Sequence, residues 1–420
     1  MDLRPKQKLT TDEIRKGLKL VIGDGLAAEA MTTLTGGAFL VSMALLLGAS
    51  NFQIGLLAAI PTFTNIFQLL SIWLVRKYNN RRVITVVCLI LARIPLLLIG
   101  SMVFFSASSS INAVIFFLFF YYFFGSLAGP SWNAWMKDLV PQKLLGTYFS
   151  RRGSYTQTLN VILSITLALV IDYIKTHHQA YELYVYSAMF ALAGVTGFAG
   201  AFVLSKAPEP QSHLARENII KLLKRPLKDR NFRKLLLFNA GWTFALNIAT
   251  PFFTVFMISG LDIPISHIIG LSILSQLSSI FTIRLWGRYA DRYSNKTIIA
   301  ICAPLYILCL LAWCFAGIYT NFYSNLMLLA VIHILSGIAT AGINLSLTNI
   351  SLKLAPREGA IVYLSARNII IASFASFAPL LGGYLADYFS MRSLTINAQW
   401  SSPGVTRVFH LVSLHEWNFL

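Results

Sequence analysis

The chain has 420 residues, of which 56% are hydrophobic and only 12% charged, with a formal charge of +18 and a mean hydropathy of +0.66. Soluble domains average about 25% charged residues, so the composition argues against a soluble enzyme or nucleic-acid-binding domain. Runs of about 20 apolar residues point to helices that cross a bilayer, not to the alternating segments of a membrane barrel.

In chain order, the apolar runs predict eleven spans near residues 20–47, 52–75, 83–106, 111–137, 153–174, 183–205, 234–258, 264–286, 297–318, 324–352 and 361–386. Pro61, Pro95, Pro130, Pro251, Pro304 and Pro379 fall inside spans, where neighbouring helices compensate for the kink. The first run is too long for a signal peptide and lacks a small-residue cleavage site. Cys88, Cys302, Cys309 and Cys314 all sit within spans without a CxxC pair. They are expected in the core, and no metal site is predicted.

Of the 34 Lys and Arg, Arg93 lies within a span, and only Lys175, Arg392 and Arg407 fall in loops on the side opposite the N-terminus. The positive-inside rule therefore places the N-terminus in the cytoplasm of a multi-pass protein of the cytoplasmic (inner) membrane. The same asymmetry explains the basic charge without a nucleic-acid partner. The expected partners are membrane lipid and a small-molecule substrate, and the protein is expected to act as a monomer.

Six spans precede the long charged loop that starts at residue 206. The expected domains are an N-terminal six-helix bundle at 1–205, a cytoplasmic linker at 206–233 and a C-terminal bundle at 234–420. Within the linker, Leu214, Ile219, Ile220, Leu222 and Leu223 stand among basic residues. That pattern suits an amphipathic helix on the leaflet or, equally, a solvated linker helix.

The halves repeat. "WLVRKYNNRR" at 73–82 answers "GRYADRYSNK" at 287–296, and Pro141, Tyr148, Ser150 and Arg152 answer Pro356, Tyr363, Ser365 and Arg367 at a constant offset of 215. A parallel duplication of a helical bundle makes a central site between its copies. "GRYADRYSNK" resembles the loop signature of the major facilitator superfamily, through Gly287, Asp291, Arg292 and Lys296; Ser294 and Asn295 depart from it. The first copy keeps only Arg81 and Arg82 and carries Lys77 where the acid is expected. The resemblance implies an all-α polytopic major facilitator fold, with two six-helix bundles related by a pseudo-two-fold repeat. The chain shows 6+5 spans. "EWNFL" at the end looks like the start of a twelfth, so a truncated last helix is expected.

Within that resemblance the charged loop suits a cytoplasmic gate. Gly287 allows close helix approach and Asp291 can cap a neighbouring helix start or pair with a nearby Arg, with Arg292 and Lys296 as further gate candidates. A static turn with basic anchoring is the alternative. Arg81, Arg82, Asp138, Arg152 and Arg367 are the other gate candidates, with Arg152 expected to meet Asp138; phospholipid headgroup binding is the other option for the arginines.

Charges inside a span are functional candidates by default. The polar stretch "GDGLAAEAMTTLTGG" opens the first span. Glu29 and Arg93 stand at similar depth, about 15 Å in from the nearest cytoplasmic cation at 1.5 Å per residue. A Glu29–Arg93 pair is predicted, as a protonation site tuned by Arg93 or as a structural lock. Asp24 is expected at the cytoplasmic edge, as a helix-end or gate residue.

In the fourth span Trp132 and Trp135 share a face beside Asn133. They suit stacking and hydrogen bonding of a sugar-like or planar solute, or else an interfacial aromatic belt. The family's first, fourth, seventh and tenth helices line its cavity, which adds Trp242, Asn247, Asn344 and Asn349 as implied candidates, with His333 behind them. The fourth span lacks the embedded Arg, and the fifth the Gly-Pro-rich signature, of the family's drug/proton antiporters. No GxxxxGK[ST], HExxH or GxSxG motif is present, so ATP coupling and catalysis are not expected. No cofactor is expected, with a proton or ion gradient as driving force. The expected function is secondary active transport of a small organic solute by alternating access, with proton coupling as one option. The rival is a non-transporting receptor, scaffold or assembly factor of the same descent.

Overall fold

The structure, a computed structural model, describes residues 5–7, 9–105, 110–141, 144–211, 226–317, 321–355, 360–390, 392, 394–402 and 405–414. The linker stretch 213–225 and the terminal "EWNFL" lie outside the described residues. Among those described, eleven helical spans are long and apolar enough to cross a membrane, matching the spans predicted from the sequence.

The first span is broken. α1 (Thr11–Thr35) starts with a capping box between Thr10 and Glu13, ends at an extended Gly36, and gives way to α2 (Gly37–Leu46). Gly37 has φ +58°, a conformation that costs glycine little and other residues much. The second span is α3 (Asn51–Thr64) and α4 (Gln68–Tyr78), joined by one 3₁₀ turn. Then come α5 (Arg81–Phe105), α6 (Ile111–Leu139), α7 (Leu145–His177) and α8 (Glu182–Ser205). The later helices are α9 (Arg230–Val255), α10 (Ile265–Arg292), α11 (Asn295–Trp313), α12 (Phe322–Leu354) and α13 (Ala360–Phe389). α9 ends in a π-helical turn at Phe256–Gly260. An antiparallel hairpin of β1 (Leu394–Ser402) and β2 (Val405–Leu414) follows α13.

Two compact units emerge: Met1–Ala49 with Ile60–Ile219 and Pro264–Ile269, and Ser50–Ala59 with Ile220–Ile263 and Gly270–Leu420. In the first, α8 lies against both α1 and α5, and α5 also packs on α6. Small residues set these approaches. A Cβ on Gly100 would stand 2.6 Å from the backbone nitrogen of Ala191, so α5 and α8 meet backbone to backbone. In the second, α9 packs on α13 and α11 on α12, around a core that includes Phe232, Ile298, Cys302, Ile343 and Tyr363. Outside these cores, Phe281, Tyr323 and Met327 are each at least 73% exposed. Exposed apolar side chains of that size on helices this apolar suit contact with lipid.

The stretch after α8 is not a free linker. Ala207 is fully buried, and Pro208 sits where a Cβ on Gly17 would be. The Lys6 N–H donates to the Glu209 carbonyl and the Gln211 N–H to the Lys6 carbonyl, each at 2.9 Å. Residues 207–211 are thus fixed to the first unit.

Candidate functional site

The polar first helix places its charge where α1 meets α8. Asp24 is only 5% exposed and Arg93, on α5, only 4%. Asp24 is attracted by both Arg93 and Arg152. Room for these guanidinium groups comes from missing side chains. A Cβ on Gly197 would lie 2.9 Å from the Arg93 Cγ and Nε, and one on Gly25 2.6 Å from the Arg152 Nε. The Arg93 Nε has no hydrogen-bond partner among the described residues. Tyr121, buried on α6, joins the same electrostatic neighbourhood and hydrogen-bonds with Thr35.

The structure corrects the predicted pairing here. Asp24 is buried within the bundle instead of standing at an edge, and no Glu29–Arg93 ion pair exists among the described residues. The reason is angular. Met31, which also borders the Gly197 position, lies two turns beyond Asp24 on the same face, whereas Glu29 is turned about 140° away at 100° per residue. Depth was legible in the spacing; the face was not.

Arg152 reaches upward along α1 and across α6. Its Nε donates to the Val21 carbonyl at 3.4 Å, and its guanidinium lies 5.2 Å from the centroid of the Trp132 ring. Such a contact stabilises both partners. One turn away on α7, Tyr148 donates from its hydroxyl to the Leu18 carbonyl at 2.8 Å. Trp132 is thus half-buried beneath a cation, and Asn133 is exposed. Trp135 is different: it is fully buried and its Nε1 donates to the Pro208 carbonyl at 2.9 Å. The two tryptophans divide their tasks, one at the charge cluster and one pinning the chain after α8.

A second charged cluster sits at the start of α5. Arg81 is 1% exposed and bonds to the Glu209 carboxylate at 3.0 Å, to the Asp138 carboxylate at 2.5 Å and to the Ala134 and Pro210 carbonyls at 2.9 and 2.7 Å. Glu209 also accepts from the backbone N–H of Arg81 and Arg82, at 2.9 and 3.0 Å. Those amides are orphan donors at a helix start, where a carboxylate is favoured. Arg82 donates from its Nε to the Ser205 carbonyl at 2.8 Å. Arg152 therefore does not meet Asp138, as the sequence had led us to expect. The acid missing at position 77 is supplied by Glu209, 132 positions downstream, while Lys77 itself lies over the rings of Trp73 and Tyr78 at 4.9 and 5.4 Å. Its one sequence trace is an acid between two prolines, in "APEP".

In the second unit the signature loop is quieter. Asp291 and Lys296 are exposed, and Asp291 forms no ion pair among the described residues. Arg292 lies 5.4 Å from the Tyr293 ring centroid, Ser294 caps α11 through the Thr297 N–H, and nothing comes closer to a Cβ on Gly287 than Leu345 at 3.9 Å. The Arg367 Nε is buried without a hydrogen bond among the described residues. Asn247 donates to its own helix at the Thr243 carbonyl, Asn349 donates to Asn295 at 3.2 Å, and Asn344 is exposed. Trp242 stacks on Phe238 with ring centroids 6.3 Å apart. The His333 Nδ1 faces the Leu329 carbonyl at 2.8 Å, so that nitrogen carries the proton. A cavity of about 180 Å³ beside it is lined by Thr250, Phe253, Ser272, Tyr306, Trp313 and Ser336.

The described residues contain no group of three or more His, Cys, Asp or Glu able to hold a metal. Known proteins place this architecture. No curated protein matches the chain in sequence. Solved structures match it in fold: the nucleoside transporter NupG at 14% identity and TM-score 0.67, over 90% of this chain and 91% of that one. A bacterial homologue of the human lysosomal transporter Spinster, inward-facing, matches at 15% identity and TM-score 0.64, over 91% and 84%. A D-xylose–proton symporter matches at 15% identity and TM-score 0.59, over 87% and 90%. The model of the Major Facilitator Superfamily matches residues 25–358 and 285–399. Eleven apolar spans, a sequence repeat and that match have one explanation: the chain is a multi-pass membrane protein that belongs to the major facilitator superfamily.

Proposed function

We propose that the protein is a secondary active transporter that moves a small polar organic solute by alternating access, coupled to a proton gradient through Asp24. The observation that carries this reading is the burial of one acid between two arginines, within a first span that is polar and broken at Gly36–Gly37. Interrupted helices recur at transporter substrate sites, and embedded charges at proton relays. Ionised Asp24 compensates Arg93 and Arg152. A proton on Asp24 removes that anion and leaves two guanidinium groups in a low-dielectric site, which favours an arrangement that gives one of them to water or to solute. Arg152, over the face of Trp132, is the more exposed of the two and is the one to move.

Similar structures include a nucleoside transporter and a D-xylose–proton symporter, which supports a polar organic solute and a proton as the coupling ion. The basic loops support a cytoplasmic N-terminus in a cytoplasmic-type membrane. The reading involves transport without covalent chemistry.

A thermal-shift screen against a metabolite library at two pH values identifies the solute, and uptake into proteoliposomes under an imposed pH gradient tests coupling. Asp24→Asn is expected to abolish gradient-driven accumulation while retaining solute exchange, and Glu29→Gln to retain both. Loss of coupling in Glu29→Gln alone moves the role to Glu29. A cooperative melt with no stabilising solute favours a receptor or scaffold.

A further inference from the structure

The second unit repeats the arginine of the Asp24 cluster without the partners of that arginine. Arg367 stands 215 positions after Arg152. The same offset carries the buried face of α1 onto that of α9: Gly17, Val21, Asp24 and Gly25 fall on Phe232, Leu236, Asn239 and Ala240, and all eight are buried. Asn239, an uncharged residue that is 1% exposed, therefore takes the place of Asp24. Leu347 takes the place of Trp132, against whose ring Arg152 rests.

Packing within the second unit brings Asn239 and Arg367 to one interface. α9 packs on α13, and the rings of Phe232 and Tyr363 meet there with centroids 4.8 Å apart. Further along both helices, Gly382 meets the Ile248 carbonyl, so the two run in the same direction. Asn239 lies seven residues beyond Phe232, and Arg367 four beyond Tyr363. Each stays near the face of its aromatic predecessor, about 10 and 6 Å further on. An arginine side chain spans that difference in height.

The Asn239 Nδ2 and the Arg367 Nε are both buried without a hydrogen bond, and Arg367 forms no ion pair, among the described residues. Both atoms are donors. Buried donors are nearly always satisfied, and a buried cation without an anion is costly. The helices around them supply no acid. α9, α11 and α12 carry no Asp or Glu, and Asp291 on α10 is exposed. Asp387, twenty residues beyond Arg367 on α13, accepts instead from the Asn51 and Phe52 N–H, both at 2.9 Å. Its repeat equivalent Asp172 is spent in the same way, on the Ile265 and Ser266 N–H at 2.9 and 2.8 Å.

We infer that Arg367 and Asn239 bind an anionic group from outside the chain, a carboxylate or a phosphate, in the position that Asp24 fills in the first unit. A guanidinium and an amide donor together suit the oxygens of such a group. The inference concerns the second unit alone and stands whether or not the protein moves a solute.

The full chain is purified in detergent and melted while acetate or inorganic phosphate replaces isethionate at constant ionic strength. It is melted again in nanodiscs of phosphatidylcholine with and without phosphatidylglycerol. A saturable rise in melting temperature is expected for the wild type. A rise with acetate or phosphate in detergent identifies a soluble anion; a rise with phosphatidylglycerol alone identifies a lipid headgroup. Arg367→Gln is expected to weaken the apparent affinity about tenfold or more, the size of one charge-assisted hydrogen bond. Asn239→Asp supplies the carboxylate from within the chain. It is expected to melt above the anion-free wild type and to lose the response to added anion. A purely structural asparagine gives the opposite sign, because a buried acid without a cation destabilises. The same variant decides the matter if Arg367→Gln fails to fold. No saturable response to any of the three probes overturns the inference. So does a response that both variants keep, which marks an adventitious ion only, or an Asn239→Asp protein that melts below the wild type.

Discussion

Asp138 binds Arg81 at 2.5 Å and leaves Arg152 to the ring of Trp132 and the carbonyl of Val21. This division separates a cluster of ion pairs around Arg81 from the cluster in which Arg152 lies over Trp132. Asp138 is 40% exposed at its side chain, whereas Glu209, the other acid on Arg81, is 1% exposed.

The two acids should therefore differ in weight. Asp138→Ala is expected to cost about 1 kcal/mol or less, as for exposed pairs. Glu209→Ala strands a buried guanidinium and two helix-start amides and is expected to cost about 3–5 kcal/mol. Thermal melts of the two variants in detergent check this; equal losses would mean that Glu209 is not the main partner.

The tryptophans of α6 should also part company. Trp135→Phe removes the donor to the Pro208 carbonyl and is expected to lower stability by about 1 kcal/mol. Trp132→Phe weakens the face on which Arg152 rests and is expected to lower apparent solute affinity with little change in melting. Paired melting and uptake measurements distinguish these outcomes, and a transport defect confined to Trp135→Phe would contradict them.

Glycines in one bundle should respond in opposite directions. Gly100→Ala pushes a methyl group into the Ala191 backbone and is expected to cost about 1–3 kcal/mol by overpacking. Gly125→Ala meets nothing within 4 Å and is expected to stabilise α6 by about 0.5–1 kcal/mol. Urea or thermal unfolding of both variants decides the matter by sign.

Asp291→Asn is expected to leave melting within about 0.5 kcal/mol of wild type, as for surface positions without special contacts, because this acid is exposed and forms no ion pair among the described residues. A large loss of stability would show a partner in another conformation of the protein.

The spans were legible because hydrocarbon demands long apolar runs with internally satisfied backbones, and each of the eleven is helical as expected. Site geometry was less so. Sequence depth placed Glu29 beside Arg93, but a helix distributes its residues around an axis, and Asp24 and Met31 occupy the facing side. Glu209 was hidden because its partner lies 128 positions earlier and no local spacing links them. Asp172 and Asp387, in contrast, obey the offset that joins Arg152 to Arg367. The same alignment contained them, but a lone acid near a helix end carries no mark of the amides it serves.

The placement of Glu209 also bears on how the two copies of the loop differ. With Glu209, from beyond α8, bound to Arg81, the first copy of the loop does not rely on an anion at position 77, and Lys77 lies over Trp73 and Tyr78 instead. The two copies are not interchangeable. A chimera in which residues 287–296 replace residues 73–82 would put Asn at position 81 and leave the buried Glu209 carboxylate without its guanidinium, so the exchange that the repeat invites is barred by a residue outside it.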